Sequence, residues 1–408
     1  MLDDVRLEVR EWLRTNWDPE RPLRAWRELL ADSGWGCPTW PVDLYGRGLD
    51  ATAARVVGEE MAAVGAVGPA SGSAMRLAAP TILAHAPFQL QRRLLRPIIT
   101  GEETWCQLFS EPGSGSDLAG LSTRAERDGD EWVVTGQKVW TTGARTAAFG
   151  MLLARTDWGV PKHRGISYFA LPMAQPGIEV RPLRQMNGHA SFNEVFLTEA
   201  RVPHDHAVGA IGEGWAAALT TLAHERGLGQ GAPRSTIPAG RTAREAAAEA
   251  EEYARTYVWY PQRAGRPDLA APQAQAAGRA DDPIVRQAVA HLESLERTAR
   301  WTVRRAAESR ANGRPPGPEG SVSKLAGSDI ARTSGRLHAQ LAGAHGMLSG
   351  SDSSLGGVIA EILVSTPAAS IAGGTDEVQR NIVGERSLGL PKEPSADSGI
   401  PYRDVRRN

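Results

Sequence analysis

The sequence predicts an α+β protein. It places an N-terminal helical domain at 1–103, a middle antiparallel β domain at 104–210 and a C-terminal four-helix bundle at 211–391, followed by a polar tail at 392–408. Three observations carry this. Apolar residues recur at helical spacing through the first hundred positions. Near Thr104 the texture changes to short β-favouring segments cut by turn signals, as far as about Pro203. Helical spacing returns after Gly214. Helices, then strands, then helices describe α+β rather than alternating βαβ units.

The elements follow in order. Val5, Val9, Trp12 and Leu13 share one helical face, and Leu23, Trp26, Leu29 and Leu30 form a second. Further helices are expected from Ala51 to about Val64, from Ser73 to His85, and after Pro87 with Phe88, Leu90, Leu94 and Leu95 inward. Asp128-Gly129 is a hairpin-type turn. Glu131 to Trp140 reads as strand, Thr-Gly turn, strand. Strands are also expected at Phe149–Ala154, Gly165–Leu171, Ile178–Arg181 and Asn193–Leu197. Trp215 to about Leu228 is helical. Residues 231–283 hold six prolines and, apart from a helical island from Arg241 to about Val258, read as a surface loop or loosely packed insert. Pro283–Ala311, Ser321–Leu348, Leu355–Val364 and Asp376–Leu388 are the last helices, with a turn at Asn312–Gly317. The tail after Pro391 is expected to be mobile.

Composition narrows the function. At roughly 150 residues per domain, 408 residues hold two or three domains. The 46 basic and 47 acidic residues nearly cancel, which disfavours a nucleic-acid binder. No apolar run reaches the ~18 residues of a membrane span, so none is expected. The start, Met1-Leu-Asp-Asp, lacks a cationic and apolar leader, and the two cysteines, Cys37 and Cys106, form no disulfide framework or metal cluster. A cytoplasmic location and no metal are the resulting expectations. The dinucleotide fingerprint, the Walker loop, the His-Glu-x-x-His zinc motif and the nucleophile elbow are all missing.

Four stretches can carry chemistry. Ser110-Glu-Pro-Gly-Ser-Gly-Ser-Asp117 can turn sharply and expose N–H and hydroxyl donors to an anionic or polar cofactor edge; a plain surface turn has the same composition. In Lys138-Val-Trp-Thr-Thr-Gly143 the Trp can stack on a flat ring while a hydroxyl bonds its edge, or it can be a core Trp. His224-Glu-Arg226 ends an apolar helical run, where a desolvated carboxylate is a stronger base; it can equally be a solvated charge cluster. Ile371-Ala-Gly-Gly-Thr-Asp-Glu-Val-Gln-Arg380 is a glycine turn opening a helix, whose free N–H groups suit an anion or carbonyl oxygen, or need only a cap by Thr375 or Asp376.

In order and spacing, the whole chain from about Leu2 to Pro391 resembles the acyl-CoA dehydrogenase family of flavoenzymes. The resemblance rests on Glu111-Pro-Gly-Ser-Gly-Ser-Asp-Leu118, Gly136-Gln-Lys-Val-Trp-Thr-Thr-Gly143, Phe192-Asn-Glu-Val-Phe196 with Arg201-Val-Pro203, and Gly373-Gly-Thr-Asp-Glu-Val-Gln-Arg380. Gln340-Leu-Ala-Gly-Ala-His-Gly346 is a looser fifth segment. The resemblance implies FAD between the β domain and the C-terminal bundle, with a second subunit completing the site. It implies that Ser110 bonds the flavin pyrimidine edge, Ser116 reaches the pyrophosphate, Trp140 packs on the isoalloxazine and Thr142 bonds near N5. Thr375 sits where the family contacts the cofactor, and Gln340 and Gly343 match the stretch that receives the partner's adenosine end.

The implied reaction is α,β-desaturation of an acyl-CoA thioester, with the α proton taken by a carboxylate and the β hydrogen leaving as hydride to flavin N5. Fixed donors polarise the thioester carbonyl. The common position of the catalytic Glu, two residues before the turn threonine, is Gly373 here. Its N–H can still polarise the carbonyl. The base therefore falls to Glu225, whose Glu-Arg pair matches a minority branch of the family, with Glu377 as nearby competitor. The family's Arg-x-Phe-Gly-like motif is replaced by Gly278-Arg-Ala-Asp-Asp-Pro-Ile284, where Arg279 is the candidate substitute for the pyrophosphate-binding arginine. Electron-transferring flavoprotein is the implied acceptor. A homodimer, a homotetramer or a heterotetramer with a related subunit is the implied assembly. A non-catalytic or half-site subunit of a heteromeric dehydrogenase is the alternative, and a flavin oxidase or monooxygenase on the same scaffold is a third reading.

Overall fold

A computed structural model describes residues 2–225, 239–311, 317–353, 355–394, 397 and 399–405. The chain divides into two compact units. The first comprises Met1–Leu183, Ser191–Thr256 and Ser395–Asn408; the second comprises Arg184–Ala190 and Tyr257–Pro394.

In the first unit the N-terminal helices are α1 (Leu2–Asn16), α2 (Leu23–Ser33), α3 (Ala51–Ala63), α4 (Ala79–His85) and α5 (Phe88–Thr100), with a π-helical turn, Ala74–Ala78, leading into α4. The apolar spacing works as expected: α1 buries Val9 and Leu13, and α2 buries Trp26 and Leu30. Asp50 caps α3 by accepting from the Ala53 N–H, and Gly34 ends α2 in the left-handed conformation.

Seven strands follow: β1 (Trp105–Leu108), β2 (Arg124–Asp128), β3 (Glu131–Thr142), β4 (Phe149–Arg155), β5 (Ile166–Pro172), β6 (Ile178–Leu183) and β7 (Phe192–Pro203). The main path is β1-β4-β2-β3-β7-β6, and β5 pairs with β4. The sheet is mostly antiparallel, as the sequence predicts, with two parallel pairings. β1 and β2 both run parallel to β4, because the long loop between β1 and β2 brings the chain back in the same direction. The expected Thr-Gly turn inside 131–140 is also absent. Thr135-Gly136 lies within β3, which runs on with a register shift against β7. A Cβ at Gly136 would lie 2.4 Å from the Thr123 hydroxyl, so glycine permits a close crossing here rather than a reversal.

Strand alternation sorts the core onto two faces. Trp105, Phe149, Met151 and Leu153 join the apolar cluster shared with α4 and α5, whereas Cys106, Leu108, Leu152 and Ala154 line the opposite face. Two helices from the region expected as part of the C-terminal bundle have their contacts in this first unit. α6 (Gly214–Glu225) packs on α4 and β5, and α7 (Arg241–Thr256) packs on α2. Gly214 lets α6 approach closely, since a Cβ there would lie 2.4 Å from the Ser167 carbonyl carbon.

The second unit holds α8 (Tyr260–Arg263), α9 (Ala270–Ala276), α10 (Pro283–Ala311), α11 (Glu319–Ala342), α12 (Val358–Ser365), α13 (Pro367–Ile371) and α14 (Asp376–Ser387). α11 is its centre, packing against α9, α10, α12, α13 and α14. This is a helical region of seven elements among the described residues rather than a plain four-helix bundle. Part of the expected loop at 231–283 is ordered helix. Trp259, Ala270 and Ala274 are buried, and Ala270 and Ala274 pack with Val285, Leu292 and Leu337. Pro261, Pro267 and Pro272 stand in first turns of short helical segments, where a missing N–H is tolerated. Residues 226–238 and the turn at 312–316 lie outside the described residues.

Val358–Ser387 is long and apolar enough, by length and composition, to cross a membrane. It is not one continuous helix. Pro367 opens α13, and Gly373 (φ 70°) and Gly374 (φ 84°) break the chain before α14. Asp376, almost fully buried at the start of α14, is paired with Lys324 at 2.6 Å and Arg332 at 2.5 Å. Burial would raise this carboxyl, but the hydrogen bonds and charges of Lys324 and Arg332 outweigh it and hold it below the usual carboxylate range. Its stabilising contribution is present above the ordinary carboxylate pKa and is lost on acidification through the lowered value. Asp376→Asn strips the two cations of their anion and is expected to lower unfolding free energy by about 3 kcal/mol at neutral pH, measured by urea titration. A loss within experimental error would show that the cluster stabilises nothing.

Candidate active site and cofactor loop

In the first unit β1 leads straight into the loop at Ser110–Asp117. The Ser110 carbonyl accepts the Val139 N–H at 2.9 Å, which ties the loop to β3 one residue before Trp140. Ser110 is half-buried and Ser116 is exposed. Trp140 stands at a second register shift of β3, between Lys138 and Thr141, with φ at 62°. A non-glycine residue in this conformation is strained by roughly 1–3 kcal/mol, and the distortion turns its indole outward, 57% exposed. Phe192 supports it edge-on at 5.6 Å. Thr142, half-buried, ends the strand.

One pair holds this arrangement from inside. The Lys138 ammonium is fully buried, donates to Glu111 at 2.9 Å and donates to the Phe109 carbonyl at 3.1 Å. Glu111 also accepts from Ser122 N at 2.7 Å, Ser122 Oγ at 2.9 Å and Thr123 N at 2.8 Å. Burial would raise the Glu111 carboxyl, but the Lys138 charge and these hydrogen bonds prevail and bring it down to about 2. Both residues lie inside motifs that the sequence singles out. Their pairing is a long-range contact that periodicity cannot show.

Glu225 ends α6. The helix buries Gly214, Ala217, Ala218 and Thr221, and Glu225 extends that stripe by one further turn. Thr221 is bonded to Thr81 at 2.8 Å and Tyr168 at 3.3 Å, which pins the stripe to α4 and β5. The Glu225 carboxylate accepts from the Gln107 amide at 3.3 Å. Gln107 is on β1, on the same strand face as Trp105, and so looks toward the helices. It is a candidate site residue that sequence reasoning missed, because only the strand's facing reveals it. Arg226, the neighbour of Glu225 in the Glu-Arg pair, lies outside the described residues.

In the second unit Arg279 donates to Asp282 at 2.7 Å and to the Gln340 carbonyl at 3.2 Å, so the structure brings Arg279 and Gln340 together and neutralises the arginine with an aspartate. The Gln340 side chain is exposed, and Gly343 ends α11 with φ at 56°. Thr375 caps α14 by accepting from the Val378 N–H at 3.3 Å, and its hydroxyl can still donate. Gly373 precedes it, and the Gln379 amide holds the Gly373 carbonyl at 2.9 Å. Glu377 is exposed and paired with Arg380 at 3.4 Å.

The comparisons with known proteins agree along the chain. The acyl-CoA dehydrogenase N-terminal domain matches residues 2–102, the middle domain matches 106–200 and the C-terminal domain matches 269–388. Acyl-CoA dehydrogenase IpdE1 of Mycobacterium tuberculosis is 37% identical over 96% of this chain and 98% of its own length. FadE34 of the same organism, also an acyl-CoA dehydrogenase, is 38% identical over 89% of this chain and 46% of its own. Among solved structures, the ChsE4-ChsE5 complex from Mycobacterium tuberculosis superposes with a TM-score of 0.64 at 27% identity, covering 96% of this chain and 98% of that one. The Tcur3481-Tcur3483 steroid ACAD gives 0.65 at 25% identity, covering 96% and 98%.

These matches define a FAD-dependent oxidoreductase acting on the CH–CH bond of an acyl-CoA. The chain belongs to the acyl-CoA dehydrogenase family. Its residues fit FAD. An exposed indole on a strand end offers a flat surface to a ring system. Cβ positions at Gly113, Gly115 and Gly143 have no atom within 4 Å, so a ligand can approach the backbone there.

Proposed function

We propose that this chain desaturates an acyl-CoA thioester and that Glu225 removes the α proton. The observation that carries the reading is the placement of Glu225 on the strand-facing stripe of α6, bonded to Gln107 three residues before Ser110. Gln107 orients the carboxylate beside the strand that delivers the cofactor loop. Ser110, Ser116, Trp140 and Thr142 are assigned to the cofactor in the first unit, and Arg279, Gln340, Gly343 and Thr375 in the second. FAD, when bound, supplies the acceptor for the hydride leaving the β carbon. The Gly373 N–H is assigned to the thioester carbonyl oxygen, where a fixed donor stabilises charge as the α proton leaves. Electron-transferring flavoprotein is the proposed acceptor of the electrons.

The test is a visible spectrum of the purified chain, followed by anaerobic addition of straight-chain, branched and steroid-side-chain acyl-CoA thioesters. A yellow protein bleached by one class supports the reading and names the acyl group. The steroid class is included because solved relatives are described as steroid ACADs. A yellow protein that no thioester bleaches would refute it.

One observation favours a second reading. Arg279 is already neutralised by Asp282, where the family pattern has an arginine for the neighbour's pyrophosphate. A half-site subunit of a heteromeric enzyme accommodates this, and the ChsE4-ChsE5 structure is a complex of two named components. A chain that is colourless alone and yellow only with a co-expressed relative would establish that assembly.

A further inference from the structure

We propose that Tyr402, in the C-terminal segment, is a positioning residue that preorganises the Ser110–Asp117 loop for FAD. The inference rests on the reading that Ser116 meets the cofactor's pyrophosphate.

Part of the tail expected to be mobile is docked: Asp397 and residues 399–405 belong to the first unit. Tyr402 is 4% exposed. Its N–H donates to the Val160 carbonyl at 2.9 Å, and the Arg403 N–H donates to Trp158 at 3.0 Å. The physical reason is a buried cation. The Arg155 guanidinium, wholly out of solvent, lies 3.4 Å from the centre of the Tyr402 ring. Arg155 donates to Ala119 O at 2.7 Å, Leu121 O at 3.1 Å and Lys162 O at 3.0 Å. Tyr402 Oη donates to the carbonyl between the first two, that of Gly120. Three successive carbonyls, 119 to 121, are therefore held by one arginine and one tyrosine.

These carbonyls follow Ser116 by three to five residues. The link between is held as well: Lys162 reaches Asp117 at 3.0 Å and Asp397 at 2.6 Å. Glu111 and Lys138 fix the start of the loop, and Tyr402, Arg155 and Lys162 fix its end. The glycines between have open space around them. A loop clamped at both ends loses less conformational freedom when it closes on an anion, and that saving appears as affinity. Removing the C-terminal clamp should weaken FAD without touching any residue assigned to the cofactor.

The experiment titrates full-length apoprotein with FAD and follows flavin fluorescence, independent of turnover. Tyr402→Phe, which keeps the ring over Arg155 and loses one hydrogen bond, should raise the FAD dissociation constant about threefold. Tyr402→Ala should raise it about tenfold or more, and amide exchange at 117–121 should quicken. Ser116→Asp serves as the control on the reading beneath, since a second negative charge there should weaken FAD whatever the tail does. Unchanged affinity in both Tyr402 variants with weakened Ser116→Asp overturns the inference and leaves the loop assignment standing. So does a lower melting temperature of the apoprotein with unchanged affinity. Unchanged affinity in all three overturns both.

Discussion

Glu225→Gln is expected to keep FAD bound and to slow anaerobic bleaching of the flavin by an acyl-CoA about a thousandfold, if Glu225 is the base proposed above. That is the range expected when a positioned general base is removed. The amide is nearly isosteric, so α6 and its buried stripe of Gly214, Ala217, Ala218 and Thr221 persist. The Gln107 contact at 3.3 Å is with a carboxylate oxygen that the variant's amide oxygen can replace. What disappears is the proposed proton acceptor. Stopped-flow absorbance separates the two quantities: the yellow spectrum reports cofactor, and the bleaching rate reports proton removal. Wild-type bleaching in the variant would move the base elsewhere. Glu377 is then the next position to substitute, although in its own unit it is exposed and paired with Arg380.

The second large effect is on stability. Lys138→Met leaves the Glu111 carboxylate buried without its cation. Breaking a buried pair from one side is expected to lower unfolding free energy by about 3–5 kcal/mol. The pair also sets a pH dependence. The Lys138 charge and the hydrogen bonds from Ser122 and Thr123 outweigh burial and bring the Glu111 carboxyl down to about 2, while burial pulls the Lys138 ammonium below its ordinary value. A lowered acid pKa stabilises the fold above the unfolded value, and that stability is lost as pH falls from near 4.5 toward 2. The wild type should therefore lose stability steeply across this window, and a Glu111→Gln/Lys138→Met double variant should lose less. Denaturant melts of the four proteins at pH 7 and pH 3 form the cycle that measures it. Additive losses in that cycle would show that the pair does not act as a unit.

Periodic apolar positions such as Val9, Leu13, Trp26 and Leu30 were readable because local helix geometry alone decides which of them share a face. Thr135-Gly136 misled because glycine marks both a reversal and a close crossing, and only the neighbouring Thr123 distinguishes them. Residues 257–276 misled in the opposite sense. Their prolines suggest a loop, yet each of Pro261, Pro267 and Pro272 stands where a helical segment begins, and Trp259 draws the stretch into the core.

What the order of residues determined by itself is the class of fold, through the alternation of periodicities, which backbone preference and short spacing set. The type of chemistry came through the resemblance of the Gly-Ser loop, the Trp-Thr-Thr strand end and the glycine turn, in order and spacing, to one family. The partners were decided only in three dimensions. Gln107 meets Glu225, Lys138 meets Glu111 and Tyr402 covers Arg155, all between residues far apart in the chain. The reason is that a buried charge must find an opposite or polar group wherever folding brings one, and a linear sequence carries no record of that distance.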